Sequence, residues 1–289
     1  MGLCDDVRNE CARIASNARW VAIEPAALDA VQAGPAPALN PEEHMLQGTA
    51  EDVALFTLTL GAINFGSGWF PTLRKRPGRS GSRTVAAALT EHVRAHGLWD
   101  AGRLRELDAA TVARTLGQNP DHQLMDLYAQ ALRRLGTFLG PRAALDVIAA
   151  DGSAEALASQ LAASMPFFDD RGFYKRAQIV PSDLALAKVA EFRDLDNLTV
   201  FADNLVPHVL RVDGVLRYET GLAAHIDAQE LLPAGEQERE IRACAVHACE
   251  LIAARMGVAP RTLDAWLWNR GQEPRYKAVP RHRTRTVFY

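Results

Sequence analysis

The feature that most narrows the folds open to this 289-residue chain is how little of it alternates with a period of two. Apolar residues recur instead at three- and four-residue spacing, the pattern of amphipathic helices packed face to face. Only residues 20–23 and 284–289 read as strand-like, and two stretches that short cannot carry a sheet-based fold. Residues 51–60 form a helix running into glycine-rich 61–68, and residues 84–96 form another, stopped by Gly97. Asp108 caps a helix through Leu116, with Gly117 just past its end. Residues 124–139 follow, closed by Gly140 and Pro141, and short helices over 142–150 and 153–163 flank the Asp151-Gly152 break. Residues 181–192 read as a helix with Ser182 as cap or first-turn residue, and residues 198–206 lead to Pro207. Helices over 222–232 and 236–256 are separated by Pro233-Ala234-Gly235, and residues 262–269 form the last. The proline-rich residues 34–43 and the basic residues 74–83 read as the least structured stretches, the second as an exposed loop. Neither divides halves of different composition, so the expectation is one all-α domain over residues 1–289.

Hydrophobic residues at 48% and charged residues at 23% describe an ordinary globular chain with a real core. A net charge of −3 argues against a general nucleic-acid coat, which would carry a basic excess. The four cysteines show no CxxC or Cys/His ligand spacing, so no metal site is expected, and Cys244 and Cys249 read as buried free thiols. The chain opens without an apolar signal segment, and Asp6 or Val7 stands where a lipidation signal needs Ser or Thr. No run spans a bilayer. The expected protein is cytoplasmic and monomeric, with no cofactor, no membrane and no stable nucleic-acid complex.

Four segments are richer in polar and aromatic residues than packing requires. Residues 62–70 combine Asn64, Phe65, Ser67 and Trp69 with two glycines. That composition suits close approach of backbone to a flat ligand, or equally a helix end followed by an aromatic plug. Residues 172–178 set Lys175 and Arg176 beside Phe173 and Tyr174, a possible anion site or a core anchor with solvated cations. Residues 198–211 bury Asp203 in an apolar run with Asn204 and His208 nearby, either a structural acceptor or a group aimed at substrate. The tail, residues 268–289, carries six cations against Glu273 alone. Its alternating Arg281, Arg283 and Arg285 point one way while His282 and Thr284 point the other, and its apolar close suggests a tied-down end.

Together these blocks resemble the queuosine salvage protein family, the queuosine 5'-phosphate N-glycosidases. The matching pieces are residues 173–179, then Phe201-Ala202-Asp203 with Pro207, then residues 240–244, Leu267-Trp268, His282-Arg283-Thr284-Arg285 and the closing Phe288-Tyr289. They stand in the family's order through the C-terminal half. In the N-terminal half only the Asn64-Phe65 loop and scattered helix positions correspond, and the run after that pair differs from eukaryotic relatives. The resemblance implies a fold related to helix-hairpin-helix DNA glycosylases, and hydrolysis of queuosine 5'-monophosphate to queuine and ribose 5-phosphate for queuine salvage into tRNA.

That reaction builds positive charge on the sugar, which a preorganised carboxylate stabilises. Asp203 is the expected catalytic carboxylate, the position to which the resemblance also points. Lys175 is the expected second catalytic group, holding Asp203 ionised or contacting the nucleotide. Arg176, Arg281, Arg283 and Arg285 are candidates for the 5'-phosphate. Phe65, Trp69 and Tyr174 are candidates to sandwich the base, and Asn64 and His208 to read its edges, with Ser67 and Asn204 beside them. Glu240 and Arg242 are expected to tie helices together. A DNA glycosylase for damaged bases and a non-catalytic nucleotide-binding module are the alternatives.

Overall fold

A computed structural model describes residues 2–149 and 152–289. Helices account for 59% of the chain and strands for 2%, so the all-α expectation holds. The first part comprises α1 (Leu3–Ser16), β1 (Val21–Ile23), α2 (Ala50–Ile63), α3 (Gly81–His96), α4 (Ala101–Arg105), α5 (Ala109–Leu116), α6 (Gln123–Leu139), α7 (Ala144–Ile148) and α8 (Ala154–Ser164). The second comprises α9 (Lys175–Leu186), α10 (Val206–Val212), β2 (Leu216–Tyr218), α11 (Thr220–Asp227), α12 (Glu236–Met256), α13 (Pro260–Arg270) and α14 (Pro274–Lys277). Among the described residues no helix is long and apolar enough to cross a membrane.

Local chemistry explains the best-defined ends. Asp108 accepts the Thr111 amide at 2.7 Å, and Gly117 closes α5 in the left-handed region. Thr49 and Asp52 cap α2 reciprocally, each side chain accepting the other's amide. Ser153 caps α8 and Ser80 caps α3.

Two large apolar clusters form most of the core. One is built by α2 to α9, the other by α1, the strand pair and α10 to α14. β1 runs antiparallel to β2 with Val21 opposite Tyr218. α1 belongs to the second cluster through Val7 and Cys11, on the face it turns to α12, while Cys4 packs in a small third cluster with Ala154, Leu198 and Phe201. No helix was expected there, since small residues and thiols give a weak apolar signal.

Four expectations are corrected. The helix expected from Pro181 to Phe192 spans Lys175–Leu186, with Pro181 inside it and Ser182 not at its cap. Tyr174, held at φ 50°, turns the chain into α9, and Pro181 removes one helical hydrogen bond without ending the helix. The tail forms no strand among the described residues, although its alternation holds: His282 and Thr284 are buried while Arg281 and Arg283 are half-buried and Arg285 is exposed. Residues 34–43 are irregular but packed, since Trp266 donates to the Pro35 carbonyl at 2.8 Å and Arg94 to that of Pro41 at 2.6 Å. The helix expected over 142–150 is Ala144–Ile148, and residues 150 and 151 lie outside the described residues.

Candidate active site

Between the two clusters lies a cavity of about 250 Å³. Its wall takes residues from the loop after α2, the 37–44 segment, the start of α3, α9, the 201–205 turn, α13 and the tail.

Asp203 and Lys175 both line this cavity. One oxygen of Asp203 accepts the amides of Leu205 at 2.6 Å and Val206 at 3.1 Å, where α10 begins. Those bonds fix the carboxylate and leave its second oxygen to the cavity. The approach to α10 therefore works as a mount. Lys175 is 6% exposed at the start of α9. Burial presses its ammonium below the usual lysine range, and Asp203 is the largest opposing influence.

Two further carboxyls line the cavity that sequence reading missed. Asp264 on α13 accepts the Phe201 amide at 2.8 Å. Burial first, then the Asp203 charge, push its pKa up to about 8, so it is largely protonated at neutral pH. Asp183 on α9 is pushed up to about 6 by burial, with His44 and Lys175 opposing. Both sit on helices among other polar residues, where a carboxyl reads as part of a solvated face. His44 and Glu43 also line the wall, and Glu43 forms an ion pair with Arg83 at 2.8 Å. Arg83, expected in an exposed loop, is thus in the first turn of α3 and faces the cavity.

A buried arginine holds the frame around Asp203. The Arg242 guanidinium lies between the rings of Phe173 at 3.9 Å and Tyr289 at 4.6 Å. It donates to the carbonyl of Ala202 at 3.0 Å, to Glu238 at 3.3 Å and to Asp170. α12, the turn before α9, the residue preceding Asp203 and the tail are joined at one cation. Glu240 accepts three amides, those of Arg19, Trp20 and Val21, so the tying role expected for this pair holds. Gln178 joins α9 to the 198–201 stretch by accepting the Thr199 amide at 2.9 Å.

The tail reaches the cavity through a glycine. A Cβ on Gly68 would lie 2.4 Å from the Thr284 carbonyl oxygen, so only glycine admits the tail backbone here. The Gly66 amide donates to the Tyr289 oxygen at 2.9 Å, and Tyr289 lines the cavity. The close backbone approach anticipated in this loop is made by the tail.

The structure gathers part of the expected site. Asn64, Phe65, Ser67, Asn204 and Arg281 line the cavity with Asp203 and Lys175. Phe65 is already packed against Tyr128 at 5.0 Å and Phe167 at 5.8 Å between centroids. Asn204 donates to the His282 carbonyl at 3.0 Å, anchoring the tail. Trp69 is not on the cavity wall: it is buried and donates to Gln123 at 2.9 Å. Arg176 is 1% exposed, bonded to the carbonyls of Gly61, Ala62 and Phe167 and set over the rings of Phe65 and Phe168. Its two terminal nitrogens are spent on backbone. Tyr174 is not among the lining residues and serves as the turn into α9. His208 and Arg283 line a second, adjoining cavity, and Arg285 is exposed beyond both. The aromatic faces that the cavity does present include Phe201 and Trp268. The four cysteines are buried and free.

The sequence was compared with known proteins. A family model described as queuosine salvage protein matches residues 44–289. A relative in Sphaerobacter thermophilus named queuosine 5'-phosphate N-glycosylase/hydrolase is 36% identical over 279 residues, covering 88% of this chain and 86% of its own. Proteins of the same name in Dictyostelium discoideum and Mus musculus are 38% and 35% identical over 134 and 136 residues, 40% of each chain.

Proposed function

The chain belongs to the queuosine salvage protein family, and we propose that it hydrolyses the N-glycosidic bond of queuosine 5'-monophosphate, releasing queuine and ribose 5-phosphate. The observation that carries the mechanism is the pairing of two carboxyls whose surroundings separate their roles. Asp203 is held by two amides beside a buried ammonium, while its neighbour Asp264 keeps its proton to about pH 8.

In this reading Asp203 lies beneath the ribose. As the bond from C1' to the base nitrogen breaks, its electron pair leaves with the base and positive charge grows on the sugar. The fixed carboxylate stabilises that charge and takes a proton from the water that adds to C1'. Asp264 gives its proton to the departing base. The base is a 7-deazapurine without the N7 lone pair that other purines offer for protonation, so a donor elsewhere on the ring matters more. The proton taken from water then restores Asp264 through solvent, and atoms and charge balance.

Phe201 and Trp268 supply faces for the base, and Arg281 is the cation for the 5'-phosphate. Arg281 is half-buried on the cavity wall, and among the described residues no carboxylate lies within 4 Å of it. Lys175 offsets the carboxylates crowded around the ribose. A nucleic-acid duplex is a poor fit to a cavity of about 250 Å³ with four carboxyl side chains on its wall. The test compares release of queuine from the monophosphate and from the dephosphorylated nucleoside. The nucleotide is expected to have the higher kcat/KM by at least about thirtyfold, from one charge-assisted phosphate contact of about 2 kcal/mol. Equal rates would remove Arg281 from its role.

A further inference from the structure

Beyond Arg281 the catalytic cavity opens into a second one of about 570 Å³, and the two share Ser67, Phe70, Ser80, Leu205, Gln272 and Arg281. Its charge is one-sided. Lys75, Arg79, Lys277, Arg281 and Arg283 line it, and no Asp or Glu does. The chain as a whole carries a net charge of −3, so this concentration is local. Arg79 is partnered by Glu42 at 2.7 Å. Among the described residues Lys75, Lys277, Arg281 and Arg283 have no carboxylate within 4 Å.

Two independent features aim at the same space. Ser80 and Gly81 bring the N-terminus of the 16-residue α3 to its wall, where unpaired amides and the helix dipole favour an anion. Ser67, 7% exposed at the junction of the two cavities, has a side-chain oxygen with no hydrogen-bond partner. A buried hydroxyl in that condition is set to meet a ligand oxygen.

We propose that this second cavity is a phosphate subsite, taking a further phosphate group joined on the 5' side of the nucleotide in the catalytic cavity. Its ligand class is a nucleotide extended 5' of its first phosphate, either a nucleoside 5'-diphosphate or a 5'-phosphorylated dinucleotide with the reacting nucleoside at its 3' end. The inference rests on the proposed reaction, because Arg281 at the junction is the residue assigned to the first phosphate. Lys75 and Lys277 are exposed, so they add attraction for the second phosphate without taking part in bond cleavage.

The experiment measures queuine release from queuosine 5'-monophosphate, queuosine 5'-diphosphate and the 5'-phosphorylated dinucleotide, using wild type and the K75A/K277A double variant. In wild type at least one extended substrate is expected to show a KM about fivefold or more below that of the monophosphate. In the double variant that advantage is lost, while the monophosphate KM stays within about twofold. Which extended substrate gains the more distinguishes the two sources. The proposal is overturned if neither extended substrate beats the monophosphate in wild type. It is also overturned if the double variant weakens the monophosphate equally, since the cavity would then hold the first phosphate. If wild type cleaves none of the three, the reaction itself is refuted. Inorganic pyrophosphate binding by calorimetry then decides the subsite alone: binding that K75A/K277A abolishes supports it, and no binding removes it.

Discussion

Asp264 provides a sharp test because its environment, not its residue type, gives it its role. Its pKa of about 8, against 3.8 for an ordinary aspartate, leaves about nine molecules in ten protonated at pH 7 and about one in ten at pH 9. If that proton goes to the departing base, kcat/KM is flat to about pH 7, bends near 8 and falls about tenfold per pH unit above it. The substrate phosphate loses its second proton near pH 6, so any bend it adds lies at the acid end, about two units below that of Asp264. Asp264→Asn keeps the acceptor for the Phe201 amide but has no acidic proton, so kcat/KM at pH 7 falls by about a hundredfold or more and the alkaline limb disappears. The assay is queuine release between pH 6 and 9.5 at fixed ionic strength. A limb near pH 8 that survives in Asp264→Asn belongs to another group, such as Lys175, and refutes the assignment. Stability follows the same proton. The folded-state pKa is raised, so between about pH 4 and pH 8 the folded state holds a proton that the unfolded state has lost, and stability declines as pH rises through that window. Asp264→Asn is expected to flatten that decline in urea titrations.

Other consequences can be checked on single variants. Arg242→Met strands the Asp170 carboxylate in the core and is expected to lower unfolding stability by about 3–5 kcal/mol in urea denaturation; a loss below about 1 kcal/mol would contradict its hub role. Gly68→Ala drives a methyl group into the Thr284 backbone, so it is expected to cost about 1–3 kcal/mol by thermal unfolding and to raise the substrate KM as Tyr289 and Arg281 shift. An unchanged KM would detach the tail from the site. Removing the Asp203 charge in Asp203→Asn also removes one influence raising the Asp264 pKa, so the Asp264 carbon signal in NMR titrates at lower pH than in wild type.

The parts of this protein legible in its sequence are those set by local chemistry. The Asp108 and Gly117 ends of α5, and the full span of α12, follow from caps, breakers and periodicity alone. α9 does not, because a proline near a helix start and one inside a helix look alike until the left-handed turn at Tyr174 is known. Asp203 stood out as a charge in an apolar run, the contrast that burial of a functional group creates, and Lys175 as one of a cation pair beside two aromatic rings. Asp264 and Asp183 offered no such contrast, and their altered acidity exists only once α9 and α13 face each other across the cavity. Trp69 and Arg176 illustrate the converse. Aromatic and guanidinium groups suit a core as well as a ligand, and here the bonds to Gln123 and to three backbone carbonyls absorb them. The second cavity combines residues 67–81 with the tail, so its charge was legible only as two separate basic stretches.

The central claim is that this chain cleaves a nucleotide with Asp203 as the stabilising carboxylate. The most direct measurement is mass spectrometry of purified wild type and Asp203→Asn after incubation with queuosine 5'-monophosphate. Asn retains the acceptor for the Leu205 and Val206 amides, so the fold around it is kept. The account predicts free queuine and ribose 5-phosphate in equal amounts from wild type, and at least about a hundredfold less from the variant. Intact nucleotide after incubation with wild type, or near-normal release by Asp203→Asn, would contradict it.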